Sequence, residues 1–65
     1  MTWELYEVWS EDDLGHEELI ETTRSLKEAK ELAITHLEQE GIEAVTIYQE
    51  TETGDIVEIE RLTLY

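Results

Sequence analysis

The stretch IEAVTIYQETETGDIVEIER, Ile42 to Arg61, decides the fold. Its first part, Ile42-Glu43-Ala44-Val45-Thr46-Ile47-Tyr48, is rich in β-formers. Glu52-Thr53-Gly54 supplies a turn whose glycine can take the left-handed conformation, and Asp55 to Leu64 returns as a second strand. A three-residue loop with a Gly54 bulge puts Val45 and Ile47 on one face with Val57 and Ile59. Thr46, Tyr48, Glu50, Glu58 and Glu60 then share the other face. A two-residue loop would mix these sets, and register follows the buried face. The expected hairpin therefore has one apolar face and one on which carboxylates crowd around Tyr48.

Upstream of this hairpin the periodicity changes to that of a helix. Ser25-Leu26-Lys27-Glu28 reads as a capping box, with the Ser25 hydroxyl accepting from the amide three residues on and Glu28 reaching back. Leu26, Ala29, Ala33 and Leu37 form one stripe, with Leu32 beside it, and Gly41 follows as a stop signal. The spacing predicts a helix over residues 26–40, with Glu28, Glu31 and Glu38 pointing away from the stripe. Trp3 to Trp9 has β composition, with Trp3, Leu5 and Trp9 on one face and Tyr6 and Val8 on the other. That suits a central strand with something packed on each side. Glu11 to His16 reads as a loop and Glu18 to Thr23 as a second strand. No linker, repeat or low-complexity tract divides the chain. The expectation is one α+β domain over residues 1–65, ordered β-β-α-β-β, with the helix packed on one face of an antiparallel sheet.

Composition narrows the function. Eighteen acidic residues stand against four basic ones, giving a net charge of −14. Such a field repels nucleic acid and anionic lipid and attracts basic surfaces. Cysteine is absent, which removes disulfides, thiolate metal sites and cysteine nucleophiles. No apolar run approaches the roughly 18 residues of a membrane span, and the acidic N-terminus lacks the basic region of a signal peptide. The expected location is the cytoplasm. With 40% hydrophobic residues, two Trp and three Tyr, the chain is not a disordered acidic tail.

Catalytic signals are missing. There is no P-loop, nucleophile elbow or HExxH, and one helix on one sheet rarely encloses a cleft that drives two carboxyl pKa values apart. Asp12, Asp13, His16 and Glu17 could be read as metal ligands, but their spacing fits no EF-hand, and a solvated acidic loop is the better reading. His36, at the edge of the helical stripe, reads as a packed or half-exposed residue. The expectation is thus no enzyme, no cofactor and no metal. What remains is charge on a rigid scaffold. Alternate residues on a strand lie about 6.6–6.8 Å apart, carboxylates on one helix face about 5–6 Å, and phosphates along a DNA strand about 3.4 Å. Rows of Glu can therefore imitate a row of phosphates. A solvated acidic face is the plainer reading, yet solubility needs only a fraction of −14, and the excess repels itself.

With small size, no cysteine and the Glu-rich segments WSEDDLGHEELIE (9–21) and YQETETGDIVEIE (48–60), the chain resembles the small acidic phage-encoded anti-CRISPR proteins of the DNA-mimic kind. It most resembles those acting on type I (Cascade) complexes. The resemblance covers the whole chain and is one of overall character; these proteins share no signature, so no family residue is carried over. It implies a protein of the host cytoplasm that fills a basic channel of a CRISPR effector complex and blocks target DNA. The partner-binding candidates are Glu50, Glu52, Asp55, Glu58 and Glu60 on the hairpin, and Asp12, Asp13, Glu17 and Glu18 near the first loop. Glu28, Glu31 and Glu38 form a second row on the helix, and Tyr48, Trp3 and Trp9 are candidate aromatic anchors. Two other readings stand beside this one. An acidic cytosolic domain of a halophile would lose its fold at 50 mM salt. A small interaction module would be a homodimer packing its open sheet faces through Tyr48 and a Trp; otherwise the chain is a monomer.

Overall fold

The computed structural model describes residues 4–63. The order is β1 (Leu5–Asp12), β2 (Glu17–Thr23), α1 (Leu26–Leu37), β3 (Ile42–Glu50) and β4 (Ile56–Thr63). The strands form one four-stranded antiparallel sheet in the order β2-β1-β3-β4, with the helix on one face. This is the expected α+β, β-β-α-β-β arrangement. Trp3 and Leu64, expected in the first and last strands, lie outside the described residues.

The helix begins as its sequence dictates. Ser25 is extended and its hydroxyl accepts from the Glu28 amide at 3.3 Å. The second half of the capping box is replaced: the Ser25 amide goes to Thr23 Oγ1, which itself donates to the Ser25 carbonyl. Glu28 is thereby left facing solvent. The helix stops at Leu37, short of the expected residue 40, and Gly41 turns the chain with a φ of 90°. Ala29 and Ala33 are fully buried and let the helix lie close on the central strands. Tyr6, Val8, Val45 and Ile47 meet them from the sheet, and Ile20, Leu26, Leu37, Ile42 and Leu62 pack around this core.

Both hairpins close with the same turn. In the first, the Asp12 amide donates to the His16 carbonyl at 3.1 Å and the Gly15 amide to the Asp12 carbonyl at 3.2 Å. In the second, Thr51 donates to Asp55 at 2.8 Å and Gly54 to Thr51 at 3.0 Å. Gly15 and Gly54 hold φ of 85° and 88°, where a side chain would be strained. Each hairpin then carries a bulge at the same distance from its turn, at Ile20 opposite Val8–Trp9 and at Ile59 opposite Ile47–Tyr48. Moving Asp12 onto Thr51 brings Val8 onto Ile47, Trp9 onto Tyr48 and Ile20 onto Ile59. Val8 and Ile47 are themselves paired across β1 and β3. A local two-fold axis through that pair therefore relates the two hairpins. The chain does contain a repeat, contrary to the sequence reading. It is hidden because only Glu4/Glu43, Glu11/Glu50, Gly15/Gly54, Ile20/Ile59 and Glu21/Glu60 keep their identity.

The second bulge also corrects the expected register. From Glu50–Ile56 to Tyr48–Glu58 the pairing is as expected, but beyond the bulge Ile47 meets Glu60 and Thr46 meets Arg61. Residues directly opposite share a face. Glu60 therefore leaves the Tyr48 face for the helix side, where Lys30 lies 4.0 Å away. Val57 and Ile59 do not join the core; they are 48% and 38% exposed. A helix about 10 Å across cannot cover the full length of four strands spaced about 4.8 Å apart, and the turn-proximal half of β4 is left out.

Two predictions concern this scaffold. Ile47→Ala should cost about 2–5 kcal/mol, a large share of the roughly 3–10 kcal/mol available to a chain of this size. Ile59→Ala should cost far less, and urea melts of both variants check the contrast. The Asp12 carboxylate is held below its usual pKa, chiefly by the His16 amide, with the Leu14 amide and the His16 ring adding to it. Its stabilisation is then full above an unfolded value of about 3.9 and is lost as pH falls through the lower folded value. Asp12→Ala should lower the melting temperature at neutral pH, and its difference from wild type should shrink in acid. A difference that does not change with pH would place the effect elsewhere.

Candidate functional site

Strand alternation sorts the acidic residues onto two faces. The face without the helix carries Leu5, Glu7, Trp9 and Glu11 from β1, opposite Glu50, Tyr48, Thr46 and Ala44 of β3. The outer strands add Glu17 and Leu19 on one side and Ile56, Glu58 and Arg61 on the other. The helix that covers the opposite face leaves this one open among the described residues.

Its side chains are ordered by one another. The Trp9 indole donates to Glu7 Oε1 at 2.9 Å, which lays the ring along its own strand. Arg61 donates to Glu11 Oε1 at 2.6 Å and to Thr46 Oγ1 at 3.4 Å. That hydrogen bond to Glu11 is the main reason the guanidinium holds its proton even more firmly than usual. Ala44 and Thr46 are buried beneath these neighbours although they belong to the open face. Burial first, and then the charges of Glu17 and Glu58, push the Tyr48 hydroxyl above its ordinary pKa, so the phenol stays neutral. Trp9 and Tyr48 border a shallow depression of about 180 Å³ together with Glu7, Glu17 and Ile56. Trp9 and Tyr48 are partners under the local axis, and so are Glu17 and Ile56. The twist of the sheet brings these diagonal corners toward each other.

The other candidates are dispersed. Of the hairpin set, Glu50 and Glu58 lie on the open face, Glu52 and Asp55 in the turn, and Glu60 on the helix side. Asp12 and Asp13 belong to the first turn, at the opposite end of the sheet because β1 and β3 are antiparallel. Glu17 borders the aromatic depression, whereas Glu18 faces the helix side beside His36. Glu28 and Glu31 line a separate groove with Glu21, and Glu38 caps the end of the helix. Among the described residues no three acidic or histidine side chains converge as metal ligands. Trp9 lies on the open face and outside the core cluster; Trp3 falls outside the described residues. Sequence reasoning passed over Glu7, Glu11 and Arg61. The signal for the first two was their spacing: they alternate with Trp9 on β1. For Arg61 there was none, because its face depends on the bulge.

No helix among the described residues is long and apolar enough to cross a membrane. Compared with protein-family models, with curated proteins and with solved structures, the chain has no significant match.

Proposed function

We propose that this is a non-enzymatic binding protein that occupies the basic, nucleic-acid-binding surface of another protein by imitating the charge of nucleic acid. The observation that carries this reading is the carboxylate row of the open face. Glu17, Glu11, Glu7, Glu58 and Glu50 are displayed on hydrogen-bonded strands of a body 38 Å long. The row itself runs from Glu17, level with Glu11, to Glu50, level with Leu5; at about 3.3 Å per residue that is about 20 Å, which at about 3.4 Å per phosphate matches about six nucleotides of one strand. Strands hold charge at fixed spacing, so the partner does not have to order it on binding. In keeping with the resemblance, the partner is a CRISPR effector complex of the bacterial cytoplasm whose DNA channel the protein blocks.

Capture from a bacterial lysate, with and without competing DNA, tests the reading. A basic nucleic-acid-binding complex should be retained and should be released by DNA; retention that DNA does not affect would sink it. Reversing Glu17, Glu50 and Glu58 to Lys should slow association about tenfold at low salt and flatten its salt dependence. Glu60→Lys, on the helix side, should change association little. Inhibition that survives the triple reversal would exclude the open face.

A further inference from the structure

The structure assigns to the cavity beneath the last turn of the helix a site for a primary alkylammonium ion, held by Glu18 and Ser10. The site lies on the helix side of the sheet and does not depend on the reading above. Ser10 stands in the row that β1 turns toward the helix, after Tyr6 and Val8, and is only 7% exposed. Its hydroxyl makes no hydrogen bond among the described residues. No sealed side-chain oxygen or nitrogen among those residues lacks a partner, so this hydroxyl opens onto the cavity that Ser10 lines. The cavity has a volume of about 300 Å³, and Glu18, Ile20, His36, Gln39 and Ile42 are among its other walls. Glu18 lies directly opposite Ser10 on β2 and belongs to no ion pair among the described residues.

Both groups stand against their surroundings. A helix carries partial negative charge at its C-terminal end, where its last carbonyls have no partner inside the helix. A carboxylate beneath that end is repelled, and His36 is the one base-type side chain in the last turn. Nor does the backbone demand the pair. The local axis carries Ser10 onto Gln49 and Glu18 onto Val57, which face each other in the second hairpin. The scaffold therefore accepts an apolar residue where Glu18 stands. Chemistry selects the ligand. Glu18, the Ser10 hydroxyl and the carbonyl end of the helix are acceptors, and an ammonium has three N–H donors to give them. Its alkyl stem would lie along Ile20 and Ile42, both half-buried. A guanidinium would use its planar fork on the more exposed Glu18 and leave Ser10, deeper in the cavity, without a donor. An anion would meet a carboxylate and a helix terminus of its own sign.

To test the site, n-butylamine, Nα-acetyl-lysine methylamide and n-butanol are each titrated into the intact, isotopically labelled protein at neutral pH and low salt, and the amide resonances are followed. Both amines should give saturable shifts at Ser10, Glu18 and Gln39, and butanol should give none. Tighter binding of the blocked lysine would make the natural ligand a lysine side chain, and tighter binding of butylamine a free amine; either supports the site. Ser10→Ala and Glu18→Gln should each weaken binding about tenfold or more, and neither should lower the melting temperature of the free protein. Glu28→Gln, the same charge loss on the helix, should change binding less than about twofold. Shifts that follow every acidic surface and respond alike to Glu18→Gln and Glu28→Gln would overturn the site, leaving only a general attraction of cations. Binding that survives Ser10→Ala unchanged would overturn it as well, making Ser10 a packing residue, and so would the absence of any saturable shift.

Discussion

The antiparallel pairing of β1 with β3, centred on Val8 and Ile47, is the contact on which the rest depends. Both side chains are fully buried, and the pair joins two hairpins that would each be marginal in water. It also supplies the floor on which Ala29 and Ala33 seat the helix. Few other side chains are fully buried, so the hydrophobic term is small for a chain that also bears a charge of −14. The fold copes by placement. Carboxylates line the turns, the helix surface and the open face, and none is buried within the core cluster.

The bulge at Ile59 is part of that placement. Without it, β4 would stay in its initial register and Glu60 would join Glu58 and Tyr48 on the open face. Arg61 would then turn to the helix side, toward Lys30. Like charges would gather at both places. One extra residue exchanges the two: Glu60 meets Lys30, and Arg61 meets Glu11. Each exposed pair is worth little alone. The difference between the registers is larger, because two attractions replace two repulsions. This gives a physical reason for a feature that interrupts the ladder.

The parts of the fold that the sequence made legible are those set by local chemistry. Ser25 and the Ala29–Ala33 stripe announced the helix, and Glu52-Thr53-Gly54 announced its turn. The Asp12–His16 turn has the same hydrogen bonds but was read as a plain loop, because no β-run was seen to continue to Asp12. The bulges were illegible for a stronger reason. A period of two carries no mark of where it slips, and the slip at Ile59 reverses every later residue. Val57 and Ile59 were expected in the core by pattern alone, yet burial also depends on how far a single helix reaches. As a result Glu50 and Glu58 were placed on the correct face of the hairpin and Glu60 was not, while Arg61 was assigned no face.

Symmetry of backbone with asymmetry of charge is the feature of the open face that stability alone does not account for. Two equivalent corners exist, one at Glu11, Thr46 and Arg61 and one at Glu50, Glu7 and Thr22. At the first, a cation offsets a carboxylate. At the second, Glu7 accepts from Trp9, Glu50 stands opposite Leu5, and Thr22 faces Glu7, with Arg24 two residues further along that edge. An arginine there would relieve repulsion in a chain with little stability to spare. The chain instead keeps a half-buried Trp9 between Glu7, which takes its indole N–H, and Glu11, which Arg61 pairs. On the proposed function, the repulsion among these carboxylates is what a basic partner would relieve, and binding would recover free energy that folding gave up.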